Sequence, residues 1–157
     1  SLEPNKNFRW IAEEAKRNPN CVFAVAGSIN KKVFADGMGF ECPNNMKLLG
    51  YVSDEEAKTL MRDCKAFLFP TFYEGFGIPP LEAMSAGAKN VYVSDAAVMH
   101  EVFEDSVHYI NPYKYNDVFD DNVVDTEECI RKVLSKYSWK KSAEILSAVI
   151  STMRGGQ

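Results

Sequence analysis

The sequence lacks several things, and each lack removes a class of function. No charge of one sign forms a long run among its 157 residues, and the formal net charge is only −4. A nucleic-acid partner needs a basic patch or stripe, so that class is set aside. No apolar stretch reaches the roughly 20 residues that span a bilayer. The lack of a secretory signal, by contrast, says little in a chain that does not begin with Met. Cysteine is scarce: Cys21, Cys42, Cys64 and Cys129 have neither metal-ligand nor redox-motif spacing. They read as buried free thiols in a reducing cytoplasm. The two histidines, His100 and His108, read as structural or surface residues. There is no Asp-x-Asp motif, no internal repeat and no low-complexity segment.

What is present suits one packed domain. The hydrophobic fraction is 46%, with ten Phe and seven Tyr, enough for a substantial core. Phe8, Ile11, Ala12 and Ala15 recur at helical spacing across residues 7–17, and Asn18-Pro19-Asn20 breaks the pattern. Cys21 to Ala26 is a continuous apolar run, as expected of a strand buried on both faces of a parallel sheet. Residues 28–45 read as loop with room for a short helix, and Met46 to Leu49 as a short strand. Ser53-Asp54-Glu55-Glu56 is a capping box, predicting a helix to about Asp63 that buries Ala57, Leu60 and Met61. Further strands are expected at Ala66–Phe69, Val91–Val93 and Val107–Ile110. Helices are expected from Pro79 to Gly87, over Val98–Phe103, and at about 126–136 and 139–153. This alternation predicts an α/β fold, a doubly wound parallel sheet. Such a domain normally opens on a strand, but here the first strong element is a helix. The first strand is therefore expected just before Ser1, where the chain starts in mid-loop and without Met.

The densest stretch runs from Phe69 to Met84, reading as strand, glycine-bearing turn and helix start. In open α/β sheets, ligands bind beyond the carboxyl ends of the strands, where such turns lie. Gly75 and Gly77 permit close backbone approach or positive φ, and the helix behind them offers unpaired N–H groups suited to phosphate. Glu74 on the loop and Glu82, expected in the helix's first turn, can face one crevice. Each feature alone has a plainer reading: a tight turn, a dipole partner, a solvated loop carboxylate. Their concentration in one turn after an apolar strand favours a site, and Phe76 beside two glycines is either buried or part of its wall.

The segment from Leu48 to Ala86, which contains this stretch, resembles the donor-binding domain of the retaining glycosyltransferases built from two Rossmann-like domains, the GT-B type. The hallmark is a Glu, seven residues, and a second Glu, here Glu74-Gly-Phe-Gly-Ile-Pro-Pro-Leu-Glu82. Leu49 to Asp54, Ala83 to Gly87 and Ser138 to Ala143 fit the family's flanking segments, and Ser1 to Asn7 its first loop. The resemblance implies a single Rossmann-like domain, one half of such an enzyme, without its acceptor-binding amino-terminal domain. It implies that Glu82 binds the donor ribose and that Glu74 binds the transferred sugar. Gly75 belongs to the donor-binding turn, and backbone N–H groups of Phe76, Gly77 and Ile78 hold sugar and diphosphate. Lys6 neutralises the diphosphate and Val52 lies against the nucleobase. No metal and no cofactor beyond the nucleoside-diphosphate sugar is implied. The sequence departs from the family pattern in having Asn5 beside Lys6 and Ala88-Lys89-Asn90 before the next strand. The expected parent is a cytoplasmic hexosyltransferase of envelope polysaccharide synthesis. It would work at the inner membrane face, with any membrane contact made through the absent domain, and the isolated chain is expected to be inactive. The alternatives are a free-standing nucleotide-sugar-binding or regulatory module without catalysis, and a protein-interaction domain with no nucleotide affinity.

Overall fold

The computed structural model describes residues 4–27, 42–115 and 127–154. The expected loop over residues 28–45 falls mostly outside them. A 3-10 turn, Pro4–Lys6, leads into α1 (Phe8–Arg17) and β1 (Phe23–Ala26). Next come β2 (Met46–Gly50), α2 (Asp54–Asp63), β3 (Phe67–Phe69) and α3 (Ile78–Ala86). β4 (Val91–Ser94), α4 (Ala97–Phe103), β5 (His108–Ile110), α5 (Glu127–Lys136) and α6 (Trp139–Arg154) follow. Every described strand pairing is parallel, in two sheets: β1 with β2, and β3-β4-β5 with β4 central.

β4 shows why the sheet needs helices on both faces. All four of its residues are buried. Val91 and Val93 join Phe69, Ala83, Met84, Met99, Val102, Phe103 and Val133 on the face covered by α3, α4 and α5. Tyr92 joins Ile110 and Trp10 of α1 on the other face. Alternating side-chain direction along one strand thus supplies two separate cores. A third cluster sets Ala12 and Ala15 of α1 against Phe23, Val25 and Met46. Ile11 and Leu68 touch both the second and third clusters, so α1 spans the division between the two sheets.

The expected capping box of α2 is present: the Ser53 hydroxyl accepts the Glu56 N–H at 3.3 Å, and the Glu56 carboxylate accepts the Ser53 N–H at 2.8 Å. Three expectations require correction. β1 alternates rather than being buried on both faces: Phe23 and Val25 lie under α1, while Ala24 and Ala26 are exposed on the face that carries no described helix. α2 buries none of its residues, and Leu60 is exposed, because this helix rests on α3 by one edge. The four cysteines are unpaired but half-buried rather than buried. Burial still pushes the Cys64 thiol up, as it does that of Cys42. The histidines are structural: His108 stacks on Tyr92 at 4.4 Å, and His100 meets Asp95 at 2.7 Å on the surface. Along α6 every residue from Trp139 to Met153 is exposed, including Ile145, Leu146, Val149 and Ile150. Among the described residues no helix is long and apolar enough to cross a membrane.

Candidate functional site

The site is assembled at the carboxyl ends of the three-stranded sheet by one residue that the sequence reading passed over. Asn7 closes the 3-10 turn in the left-handed conformation, φ 53°. Asparagine tolerates that region better than most side chains. Its buried amide donates to the Pro70 carbonyl at 3.0 Å and to the Pro112 carbonyl at 2.9 Å. The Phe72 N–H donates to the Asn5 carbonyl at 2.9 Å. The first turn of the chain, the loop after β3 and the loop after β5 are therefore tied at one point. Trp10 adds a further tie, its indole N–H donating to the Lys114 carbonyl at 2.8 Å.

That clamp places Lys6 opposite Glu74. The ammonium donates to the carboxylate at 2.7 Å, and both side chains are half-buried, 31% and 19% exposed. Lys6 also lies 5.5 Å from the centroid of the Phe69 ring. Lys6, expected at the diphosphate, and Glu74, expected at the transferred sugar, are 68 positions apart in sequence and in direct contact in space.

Beyond Glu74 the turn divides its labour between its two glycines. Gly77 is the N-cap of α3 with φ 96°, a conformation that L side chains rarely adopt. A Cβ there would stand 3.1 Å from Phe103 Cε2 and 3.2 Å from Met99 Sδ, so Gly77 is fixed by backbone and by packing. Gly75 has no positive φ, and a Cβ on it would meet nothing within 4 Å. Its openness leaves room for a ligand to approach the backbone. Phe76 packs edge-on against Tyr137, with centroids 4.9 Å apart and planes at 88°, which fixes the turn from behind.

α3 starts at Ile78, one residue earlier than the prolines suggested. Pro79 and Pro80 have no N–H, so the donors normally shared over a first turn reduce to Ile78 and the preceding Gly77 and Phe76. None of those three N–H groups bonds to another described residue outside the helix. The result is a compact donor cluster at the positive end of the helix dipole. Glu82 is the fifth helical residue, not a first-turn residue, because the helix starts early. It is exposed and has no ion pair among the described residues. Val52 lies between β2 and the Ser53 cap, half-buried beside exposed Tyr51, at the end of the other sheet. The structure joins Lys6, Glu74 and the donor turn. No hydrogen bond or ion pair among the described residues links Glu82 or Val52 to them. No cluster of three or more metal-ligating side chains occurs among the described residues.

A family model described as "Glycosyl transferases group 1" matches residues 1–144. The O-antigen chain mannosyltransferase RfbU of Salmonella typhimurium is 42% identical over 72 residues, 46% of this chain and 20% of that protein. The serotype-specific mannosyltransferase WbdA of Escherichia coli is 33% identical over 109 residues, 61% of this chain and 13% of that protein. Among solved structures, a sucrose-phosphate synthase from Thermosynechococcus elongatus superposes with TM-score 0.78 at 14% identity, covering 99% of this chain and 44% of that one. Anabaena HepE, solved in complex with UDP and glucose, gives TM-score 0.61 at 18% identity, covering 94% of this chain and 46% of that one. The fold is thus the Rossmann-like α/β arrangement found in GT-B glycosyltransferases. The aligned part spans a fifth or less of the two mannosyltransferases.

Proposed function

The chain belongs to the glycosyl transferases group 1 family, and from that premise we propose that it is the donor-binding half of a retaining hexosyltransferase. The parent would move a hexose from a nucleoside-diphosphate sugar to a glycan or lipid-linked acceptor. The observation that carries this reading is the Lys6–Glu74 contact beside the unpaired N–H groups at the start of α3. The cation and the oriented backbone donors would meet a diphosphate's negative charge as the bond to the sugar breaks. In this reading Lys6 takes the diphosphate and Glu74 the hydroxyls of the transferred sugar. Phe76, Gly77 and Ile78 donate through their N–H groups, and Gly75 lets the ligand approach. Glu82, projecting one turn further along α3, accepts from the ribose hydroxyls, and Val52 lies against the base. Charge on the leaving group is met by Lys6 and the helix start, so no metal or further cofactor enters the reading.

An amino-terminal acceptor domain of the same polypeptide supplies the other wall of the cleft, together with any contact with the cytoplasmic membrane face. The domain's own first strand lies before Ser1, between β1 and β3. Support for that placement comes from the division of the parallel strands into two sheets at this point, with α1 lying across both. The related O-antigen mannosyltransferases favour a mannose donor.

Calorimetric titration of the chain with UDP, GDP and ADP tests the reading. One nucleotide should bind saturably, and Glu82→Ala should weaken it about tenfold or more, as loss of hydrogen bonds to a charged group does. A nucleotide that binds equally well to Glu82→Ala and Lys6→Met would place binding elsewhere and defeat the assignment.

A further inference from the structure

Beside the Lys6–Glu74 pair the surface carries an aromatic shelf that the donor reading does not use. Phe72 and Tyr113 stack with ring centroids 5.2 Å apart and planes at 27°. Phe72 is 38% exposed and Tyr113 is 74% exposed, so much of the Tyr113 ring stays open to solvent. Tyr73, also exposed, stands between Phe72 and Glu74. The stack itself steadies the two loops, and the open part of the rings offers an apolar face to a ligand.

Three features make the shelf a built structure. Asn7 holds the carbonyls of Pro70 and Pro112, in the two loops that carry the rings, through the two N–H groups of its side-chain Nδ2. The Phe72 N–H is bonded to the Asn5 carbonyl, one residue from Lys6. The Tyr113 N–H is bonded to Asn111 Oδ1 at 2.9 Å, which fixes the turn carrying the second ring. The clamp that positions the charged pair therefore also positions the shelf. Chain topology puts the shelf at the β5 end of the site, while Val52, assigned to the nucleobase, follows β2 in the other sheet.

We propose that the Phe72–Tyr113 stack is a carbohydrate subsite that holds a pyranose of the glycan acceptor by its apolar C–H face. The proposal rests on the glycosyl-transfer reading and adds to it an acceptor contact on the donor-binding half. A pyranose has one face of C–H bonds and a rim of hydroxyls. It therefore matches a ring surface with a side-chain amide, Asn111, bonded to the backbone of one ring-bearing residue, and with Glu74 two positions along the chain from the other. A flat aromatic surface imposes little selection among hexoses, so the subsite orients an acceptor without by itself choosing its identity.

The test titrates the chain with the methyl α-pyranosides of mannose, glucose, galactose and N-acetylglucosamine to 100 mM. Aromatic ¹H–¹³C resonances of Phe72 and Tyr113 are followed in the wild type, Tyr113→Ala and Tyr113→Phe. At least one glycoside should shift both rings, with millimolar affinity in the wild type. Affinity should fall about three- to tenfold in Tyr113→Ala, the worth of one aromatic contact, and hold in Tyr113→Phe. Unmoved Phe72 and Tyr113 resonances with all four glycosides, or shifts that persist unchanged in Tyr113→Ala, would overturn the proposal. A parallel nucleotide titration separates the two readings. Nucleotide binding without glycoside contact sinks the shelf alone, and glycoside contact without nucleotide binding sinks the donor assignment alone.

Discussion

Replacing Gly77 by Ala gives the sharpest test of how the donor turn is held. Two costs add. The backbone sits at φ 96°, where an L residue is strained by about 1–2 kcal/mol. The new methyl would also stand 3.1 Å from Phe103, which is fully buried, and 3.2 Å from Met99 Sδ. Overpacking of this kind costs about 1–3 kcal/mol, and the flexible Met99 side chain puts the case toward the lower end. The sum is about 2–4 kcal/mol, a large share of the roughly 5–15 kcal/mol that holds a domain together. For a chain of this size that lowers the melting temperature by about 6–12 °C. Gly75→Ala is the internal control, because it meets no obstacle and needs no positive φ. It should melt within about 2 °C of wild type, while any nucleotide affinity falls as the methyl enters the approach path. Thermal unfolding by circular dichroism, with urea titration alongside, reads both variants. Should Gly77→Ala melt with the wild type, or Gly75→Ala fall as far as Gly77→Ala, the assigned division of roles between the glycines is wrong.

Asn7→Ala should lower stability by about 2–4 kcal/mol in urea titration, because two carbonyls lose a buried partner and a non-Gly φ of 53° loses the side chain that tolerates it. Glu74→Gln should tighten binding of the free nucleoside diphosphate up to about fivefold, since Lys6 is released from a partly exposed ion pair. Calorimetry showing weaker diphosphate binding would mean that Glu74 contacts the nucleotide itself. Glu104 is held below the usual carboxylate range by Lys132 and then Lys136 of α5. Its folded value is depressed, so the stability it adds is complete at neutral pH and is lost as pH falls through that value. Glu104→Gln should melt below the wild type at pH 7, and the difference should shrink as pH falls below the ordinary glutamate range.

Much of this was legible in the residues because the signals were local. The capping box of Ser53 and Glu56, the apolar runs of β3 and β4, and the Gly87 stop of α3 each depend on neighbours within a few positions. The motif from Glu74 to Glu82 was equally visible, since a turn, two glycines and a helix start are written consecutively. Periodicity, however, reports an apolar side and not what covers it. The patterns of α2 and α6 gave their helical state correctly, yet α2 buries no residue and α6 lies exposed. The same gap explains β1, where an apolar run contains two exposed alanines.

The order and type of elements, the parallel sheet and the position of the charged turn all follow from local pattern. Hydrophobic period, caps and breakers act over short stretches of chain. Packing in three dimensions is what brings Lys6 to Glu74, ties three loops through Asn7, confines Gly77 while leaving Gly75 free, and stacks Phe72 on Tyr113. Those outcomes depend on which strands lie side by side and where their carboxyl ends meet, and no spacing along the chain encodes that distance.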